Sequence, residues 1–483
     1  MGRVDDDPLT LALAPPPNET PDQKEARLRA EAEARKISEE IDERLKAEKA
    51  ALKKKPPVKV LLLGQSESGK STTLKNFQMN YSRTTWAEEL ASWRTVIQLN
   101  LCRNVNAILD ILNQEMAAPA TLEEPDIDSD SESVISPSVD DKTPRPPLVF
   151  TEKHRVLKLQ LAPLRTLQAD LESRLGASSQ EEKSNVQQPT YDIFKRPQEA
   201  FVRSYGWKVT LLTGRRSGEG KAEVVKRDRE AEAREAADIL YGCADAMKTL
   251  WLDDVVQEML KRKKTRLDAM PGFFLGDVDR IARRDYVPSD DDVMRARLRT
   301  LGVQEHKLHL TTGPAAGTDW VIIDVGGSRT QRPAWFPYFD DCDTIIFLAP
   351  INCFDEKLAE DRRVNRLEDS FELWKMVCSS PLLAKTQIIL FLNKCDLLEK
   401  KLRSGVRVKD YVPSFGKRSN DVQTVTQYFA QHFKEIFRQS SKEPRPFRVH
   451  LTSVIDTKAT SVTLQVVEET IIKQHLRMAN LIA

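Results

Sequence analysis

The sequence predicts an α/β domain with a largely parallel sheet, interrupted by a long all-α insertion and preceded by a charged helix. Three observations predict it. Short apolar strands (KLHLTT, WVIIDV, TIIFLAP, QIILFLNK and FRVHLTS) alternate with helix-like segments from about residue 307 onward. A further strand of this kind, Val58–Leu63 (VKVLLL), lies far upstream, just before a Gly-rich turn and a helical pattern. Between them, from about 79 to 290, the chain reads as mostly helical, so this block is inserted into the α/β domain.

The bulk numbers agree with more than one domain. The 483 residues exceed the roughly 250–300 that a single core accommodates. Hydrophobic residues make up 40% and charged residues 30%, a soluble composition with some extra charged material. Lys plus Arg total 74 against 73 for Asp plus Glu, so nucleic acid is not an expected partner. Six scattered cysteines form no CxxC pair and fit reduced thiols in a cytosolic protein. The start MGRVDDDPLT has no apolar core for a signal peptide, and no run of about 18 apolar residues predicts a membrane span.

The expected organisation is four segments. Residues 1–57 hold a disordered start and a helix, 58–78 the first piece of the α/β domain, 79–290 the helical insertion, and 291–483 the remainder. Thr20 is a plausible N-cap, Pro21 suits the first helical position, and Gln23 completes a capping box. The helix should run to about Lys54 and stop before Pro56-Pro57, with Ala34, Ile37, Ile41, Leu45 and Leu52 forming a narrow apolar stripe. A solvated surface helix and a partner-binding helix both have this pattern; the stripe favours the second, because it needs something to cover it. Polar stretches near 119–147, 176–190 and 214–236 read as disordered inserts, although EAEAREAAD within the last has helix-forming composition.

Three motifs carry chemistry, and each ends a strand. Gly64-Gln-Ser-Glu-Ser-Gly-Lys-Ser71 fits GxxxxGK[ST] between a strand and a helix, where loop amides and a helix N-terminus point at phosphate oxygens. Lys70 can reach the β- and γ-phosphates, and Ser71 can ligate Mg²⁺. Asp324-Val-Gly326-Gly327 places a carboxylate to hold that ion through water and a glycine to approach the γ-phosphate. Asn393-Lys394-Cys395-Asp396 reads NKxD. The Asp396 carboxylate can accept both the N1–H and the 2-amino group of guanine, a donor pair that adenine lacks. Each motif is weak alone; in this order and context they point to GTP over ATP.

On these residues the chain resembles heterotrimeric G-protein alpha subunits, over nearly its whole length outside the inserts. The segments that carry the resemblance are LLLGQSESGKSTTLKNFQ, GDVDRIARRDYVPSDDDVMRARLRTLGV, LAEDRRVNRLEDSFELW, QIILFLNKCDLLEKKL and the helix KISEEIDERLKAEK. The resemblance implies a P-loop Ras-like GTPase domain with an inserted all-α helical domain and an N-terminal helix. It implies that Glu67, Ser68, Gly69, Lys70, Ser71 and Thr72 wrap the phosphates and that Arg295 also contacts the nucleotide. Arg297 would be the intrinsic arginine finger, and Thr300 of switch one a second protein ligand of Mg²⁺ beside Ser71. Asp324 and Gly327 would begin switch two, while Asn393, Lys394, Asp396 and the backbone of Val454 would read the base. GTP or GDP with Mg²⁺ are the implied ligands. The implied partners are a beta–gamma dimer at the N-terminal helix, a seven-helix receptor at the tail IIKQHLRMANLIA, and a downstream effector.

Several positions depart from the family pattern. Where the family reads DVGGQRSERKKW this chain reads DVGGSRTQRPAW, so Ser328 stands at the position of the glutamine that orients the attacking water. A serine hydroxyl is too short to span that distance, so slow hydrolysis is expected; Gln331, three residues on, is a candidate substitute. Ser66 replaces a P-loop glycine, Leu301 a switch-one threonine, and Pro333 and Ala334 two lysines, while Trp335 is retained. The TCAT base motif appears as Thr452-Ser453-Val454-Ile455. Asp6 breaks the myristoylation pattern after Gly2, so any place at the cytoplasmic face of the plasma membrane would depend on the beta–gamma dimer rather than a lipid anchor. Asn480 excludes the subgroup with a cysteine four from the end. A nucleotide-driven switch is the leading reading; a binding-only scaffold that holds GTP with little turnover is the alternative.

Overall fold

The computed structural model describes residues 20–54, 56–117, 147–175, 201–202, 222–263, 265, 267–270, 272–300, 302–358, 361–441 and 443–478. They belong to two units, residues 1–57 and 58–483. The inserts expected near 119–147 and 176–190 lie almost wholly outside the described residues, as does the end of the C-terminal tail.

The first unit is one helix, α1 (Pro21–Lys54). Its start is the capping box read from sequence: Thr20 N–H donates to Gln23 Oε1 at 3.1 Å, and Gln23 N–H to Thr20 Oγ1 at 3.4 Å. Pairs one turn apart, Arg27–Glu31 and Glu25–Arg29, line its charged face. Ile37, Ile41 and Leu45 remain about half exposed along it. Pro56 and Pro57 end the helix, since proline disfavours helical backbone before it and lacks a donor.

The second unit opens with β1 (Val58–Gly64) and α2 (Lys70–Tyr81). The inserted helices follow: α3 (Arg83–Ala117), α4 (Glu152–Leu161), α5 (Pro163–Arg174), α6 (Ala222–Trp251), α7 (Asp254–Arg262), α8 (Val278–Ile281) and α9 (Asp290–Arg295). Leucines at helical spacing on α4 and α5 (Leu157, Leu161, Leu164, Leu167, Leu171) bury against Val96, Ile97 and Leu101 of α3 and Leu240, Met247 and Leu250 of α6. That core draws on residues from Met79 to Ala296 and includes no sheet residue. Two expectations need correction here. Residues 222–236 are the first half of α6, not an insert: no Gly or Pro occurs from 221 to 236, Ala, Glu and Arg dominate, and Ala236 already packs into the core. The insertion is also not purely α, because β2 (Phe201–Val202) pairs in parallel with β3 (Arg299–Thr300), a ladder too short to leave a sequence pattern.

The remaining elements build the sheet: β4 (Val303–His309), β5 (Asp319–Val325), β6 (Thr344–Pro350), α10 (Arg366–Ser379), β7 (Gln387–Asn393), α11 (Cys395–Arg403), α12 (Val422–Ser440), β8 (Phe447–Leu451) and α13 (Thr457–Met478). Strand order is β4-β5-β1-β6-β7-β8, parallel except for β4 against β5. β4 starts at Val303, four residues before the expected KLHLTT, and ends at His309. It is an antiparallel edge strand with one wet face, so it alternates rather than forming an apolar run. Along β1, Leu61 and Leu63 enter a core under α10, α11 and α12, while Val58, Val60 and Leu62 enter one under α2 and α13. Parallel strands with helices on both faces bring the C-terminal ends of β5, β1, β6, β7 and β8 to one edge, where such folds bind ligands. Among the described residues no helix is long and apolar enough to cross a membrane, and the six cysteines are free.

Candidate functional site

The loop between β1 and α2 is tightly held. Gly69 caps α2 from left-handed backbone (φ +105°). Lys70 is buried, and its Nζ donates to the carbonyls of Gly64 (2.9 Å) and Gln65 (2.7 Å). Ser71 Oγ donates to Asp324 Oδ2 at 2.6 Å, which joins the first turn of α2 to the end of β5. Thr72 lies in the same turn, its carbonyl accepting from Asn76 Nδ2 at 2.9 Å. Gly327 lies against the loop so closely that a Cβ on it would overlap backbone atoms of Gln65 and Ser66. Among the described residues, Glu67 (φ +60°) and Lys394 (φ +66°) are the only non-glycine residues with positive φ. Both stand in the predicted motifs, where such strain concentrates.

The ends of β7 and β8 meet that loop. Asn393 Nδ2 donates to the Ser68 carbonyl at 2.7 Å, and its Oδ1 accepts from Thr452 Oγ1 and Val454 N, both at 3.2 Å. Asp396, in the first turn of α11, accepts from Ser453 Oγ at 2.7 Å. Asn393 thus ties NKxD, the phosphate loop and the TSVI segment into one frame. The Val454 N–H, the backbone group implied to read the base, donates to Asn393 here. Burial and the nearby Arg366 guanidinium lower the pKa of the Lys394 ammonium, with Glu67 opposing.

Two arginines of the MRARLRT segment part ways. Arg297 Nη2 meets Glu67 Oε1 at 2.7 Å, over the phosphate loop. Its backbone is clamped by α3: Asn100 Oδ1 accepts its N–H at 2.7 Å, and Asn100 Nδ2 donates to its carbonyl at 3.0 Å. Arg295 turns the other way, onto Asp277 (2.9 Å), Asp291 (3.0 Å) and Asp292 (3.1 Å). The Arg295 guanidinium is thus engaged by these three carboxylates, whereas Arg297 stands over the phosphate loop. The Thr300 backbone lies in β3, and its side chain lies outside the described residues.

Behind switch two sits a hub that sequence reasoning missed. Asp369, wholly buried on α10, accepts from Gln65 Nε2 (2.6 Å), Arg329 Nε (3.0 Å) and Arg332 Nη2 (2.5 Å). Burial opposes its ionisation, but the Arg332 guanidinium, with Gln65 and Arg329, holds its carboxyl below the usual carboxylate range. A signal was present. Asp369 precedes Leu373 by one turn and Asn100 follows Val96 by one turn, so both polar residues interrupt apolar helix stripes. Ser328 is buried, and its hydroxyl lies 3.3 Å from Thr330 Oγ1 at the start of the 3-10 helix Arg329–Tyr338.

Residues 35–471 match the model of one family, described as G-protein alpha subunit. The chain belongs to that family. It is 30% identical, over 100% of its length and 97% of the relative's, to guanine nucleotide-binding protein alpha-4 subunit of Mycosarcoma maydis. It is 26% identical to the human alpha-12 subunit, covering 93% of this chain and 91% of the relative. With the alpha-1 subunit of Saccharomyces cerevisiae it shares 23% identity over 93% of this chain and 96% of the relative. This alpha subunit is therefore a guanine-nucleotide-binding signal transducer of the heterotrimeric class, from a family that binds GTP and GDP and hydrolyses GTP. The binding-only scaffold is not favoured.

Proposed function

We propose that this alpha subunit is a slow GTPase switch, which exchanges GDP for GTP and holds the GTP state long. The observation that carries the reading is Ser328: its buried hydroxyl lies beside Thr330, and a serine side chain is shorter than the glutamine that would orient the attacking water. Ser66, in contact range of Gly327, adds a side chain to the phosphate loop. Single-turnover hydrolysis tests this. Ser328→Gln should raise the rate on the order of tenfold to a hundredfold, the scale on which nucleophile placement acts. Equal rates for the two proteins would sink the reading.

The Ser71 hydroxyl and the Asp324 carboxylate give two hard oxygen donors side by side, a set that fits Mg²⁺. Ser71 and, through water, Asp324 would hold Mg²⁺, which would supply positive charge against the phosphates. Lys70 would exchange its loop carbonyls for phosphate oxygens, and Arg297 would leave Glu67 to stabilise charge on the γ-phosphoryl group. The Asn100 clamp sets where that guanidinium starts. Asn100→Ala is expected to slow single-turnover hydrolysis about tenfold while GDP affinity stays within roughly threefold, because only transition-state placement is lost. An unchanged rate would show that the clamp does not matter.

For partners, we read the exposed stripe of α1 as the beta–gamma contact and the C-terminal tail as the receptor contact, with an effector downstream. The family membership supports these roles. In this reading the protein works at the cytoplasmic face of the plasma membrane, held by beta–gamma.

A further inference from the structure

The side chain of Gln331 folds back over Gly326. A Cβ built on Gly326 would overlap Gln331 Oε1 and come within 2.6 Å of its Cδ. That oxygen is buried and accepts no hydrogen bond among the described residues. Its location follows from the strand. Side chains alternate along β5. Asp324 faces Ser71, and the ladder continues through Gly326 N–H to the Gly302 carbonyl at 2.8 Å. Gly326 directly follows β5, two residues after Asp324, and the next residue, Gly327, lies on the phosphate loop. This unsatisfied acceptor thus lies over the residue that precedes Gly327, beside the loop that would hold the γ-phosphate, and leaving such an atom buried is costly unless something bonds it.

We infer that the Gln331 carboxamide supplies the residual catalytic function that Ser328 cannot: its Oε1 accepts a hydrogen bond from the attacking water. This rests on the slow-GTPase reading. In the step, the water oxygen bonds to the γ-phosphorus as the bond from phosphorus to the β–γ bridging oxygen breaks, and the electron pair leaves with GDP. One water proton stays on the attacking oxygen and the other passes to a γ-phosphoryl oxygen, giving dihydrogen phosphate. Gln331 only orients the water. It starts from the first turn of the 3-10 helix, with its N–H on the Ser328 carbonyl at 3.0 Å, so it approaches from a different anchor than a glutamine at 328 would.

The test uses Gln331→Met, which keeps length and volume but removes the acceptor. Three readouts apply: single-turnover GTP hydrolysis, affinity for a non-hydrolysable GTP analogue, and the tryptophan emission change on binding it. The last reports this segment, because buried Trp335 donates from Nε1 to the Gly326 carbonyl at 2.9 Å. We expect the rate to fall about tenfold with affinity and emission change kept. In the Ser328→Gln background the same substitution should leave the rate within about twofold, since the water then has another acceptor. An unchanged or raised rate in the native background overturns the assignment. So does a loss of rate that comes with lost affinity or emission change, which would mark a packing role. If Ser328→Gln alone fails to raise the rate, the slow-GTPase reading fails instead, so the two failures are separable.

Discussion

Asp396→Asn is expected to weaken guanine-nucleotide binding by about 10⁴-fold and to create binding of xanthine nucleotides. The carboxylate sits in the first turn of α11, with Oδ1 fixed by Ser453 Oγ at 2.7 Å. Asn393, Thr452 and Val454 hold the surrounding backbone, so the substituted amide would occupy nearly the same place. An amide nitrogen would then face the guanine N1–H or amino group, donor against donor. Xanthine carries a carbonyl where guanine carries its amino group, and that carbonyl can accept from the new amide. Competition of GDP and xanthosine diphosphate against a fluorescent guanine nucleotide measures both changes. If GDP affinity survives intact, the base is not read by Asp396.

Gly327→Ala is expected to spare GDP binding and to cost the GTP state about 10- to 100-fold in affinity. The new Cβ would meet the Gln65 carbonyl carbon and the Ser66 nitrogen. These are backbone atoms of the loop that Lys70 and Asn393 already hold from two sides, so they cannot yield as a flexible side chain would. Overpacking of this kind costs about 1–3 kcal/mol. The cost falls on whichever state presses switch two onto the phosphate loop, and the γ-phosphate demands that approach. Separate affinities for GDP and a non-hydrolysable GTP analogue, read with tryptophan emission, check it. An unchanged ratio of the two affinities would refute the close-approach argument.

Much of the fold was legible because its signals are local. An apolar run buried on both faces identified β1, β6 and β7, and Thr20 with Gln23 marked the start of α1. The phosphate loop, Asp324 and NKxD were legible because phosphate and base chemistry fix both residue type and spacing. Tertiary choices were not legible. Arg295 and Arg297 have the same chemistry two positions apart, and only the fold sends one to Asp277 and Asp292 and the other to Glu67. The Val454 N–H is claimed by a side chain 61 positions upstream, and the Asp369 hub gathers three donors from two segments far from it in sequence. Low apolar content concealed the start of α6, where the small residue Ala236 packs into the core.

The interruption of the sheet has a consequence for how the protein is made. β1 emerges from the ribosome early, but both its partners, β5 and β6, are encoded beyond the insertion. The helical core, which draws no residue from the sheet, can assemble while β1 still lacks a ladder. Biogenesis should therefore run from the inside of the sequence outward, with a buried apolar strand left waiting for the last third of translation. Such a strand is exposed to mispairing until then, so this alpha subunit should depend on chaperone holding more than a GTPase without an insertion.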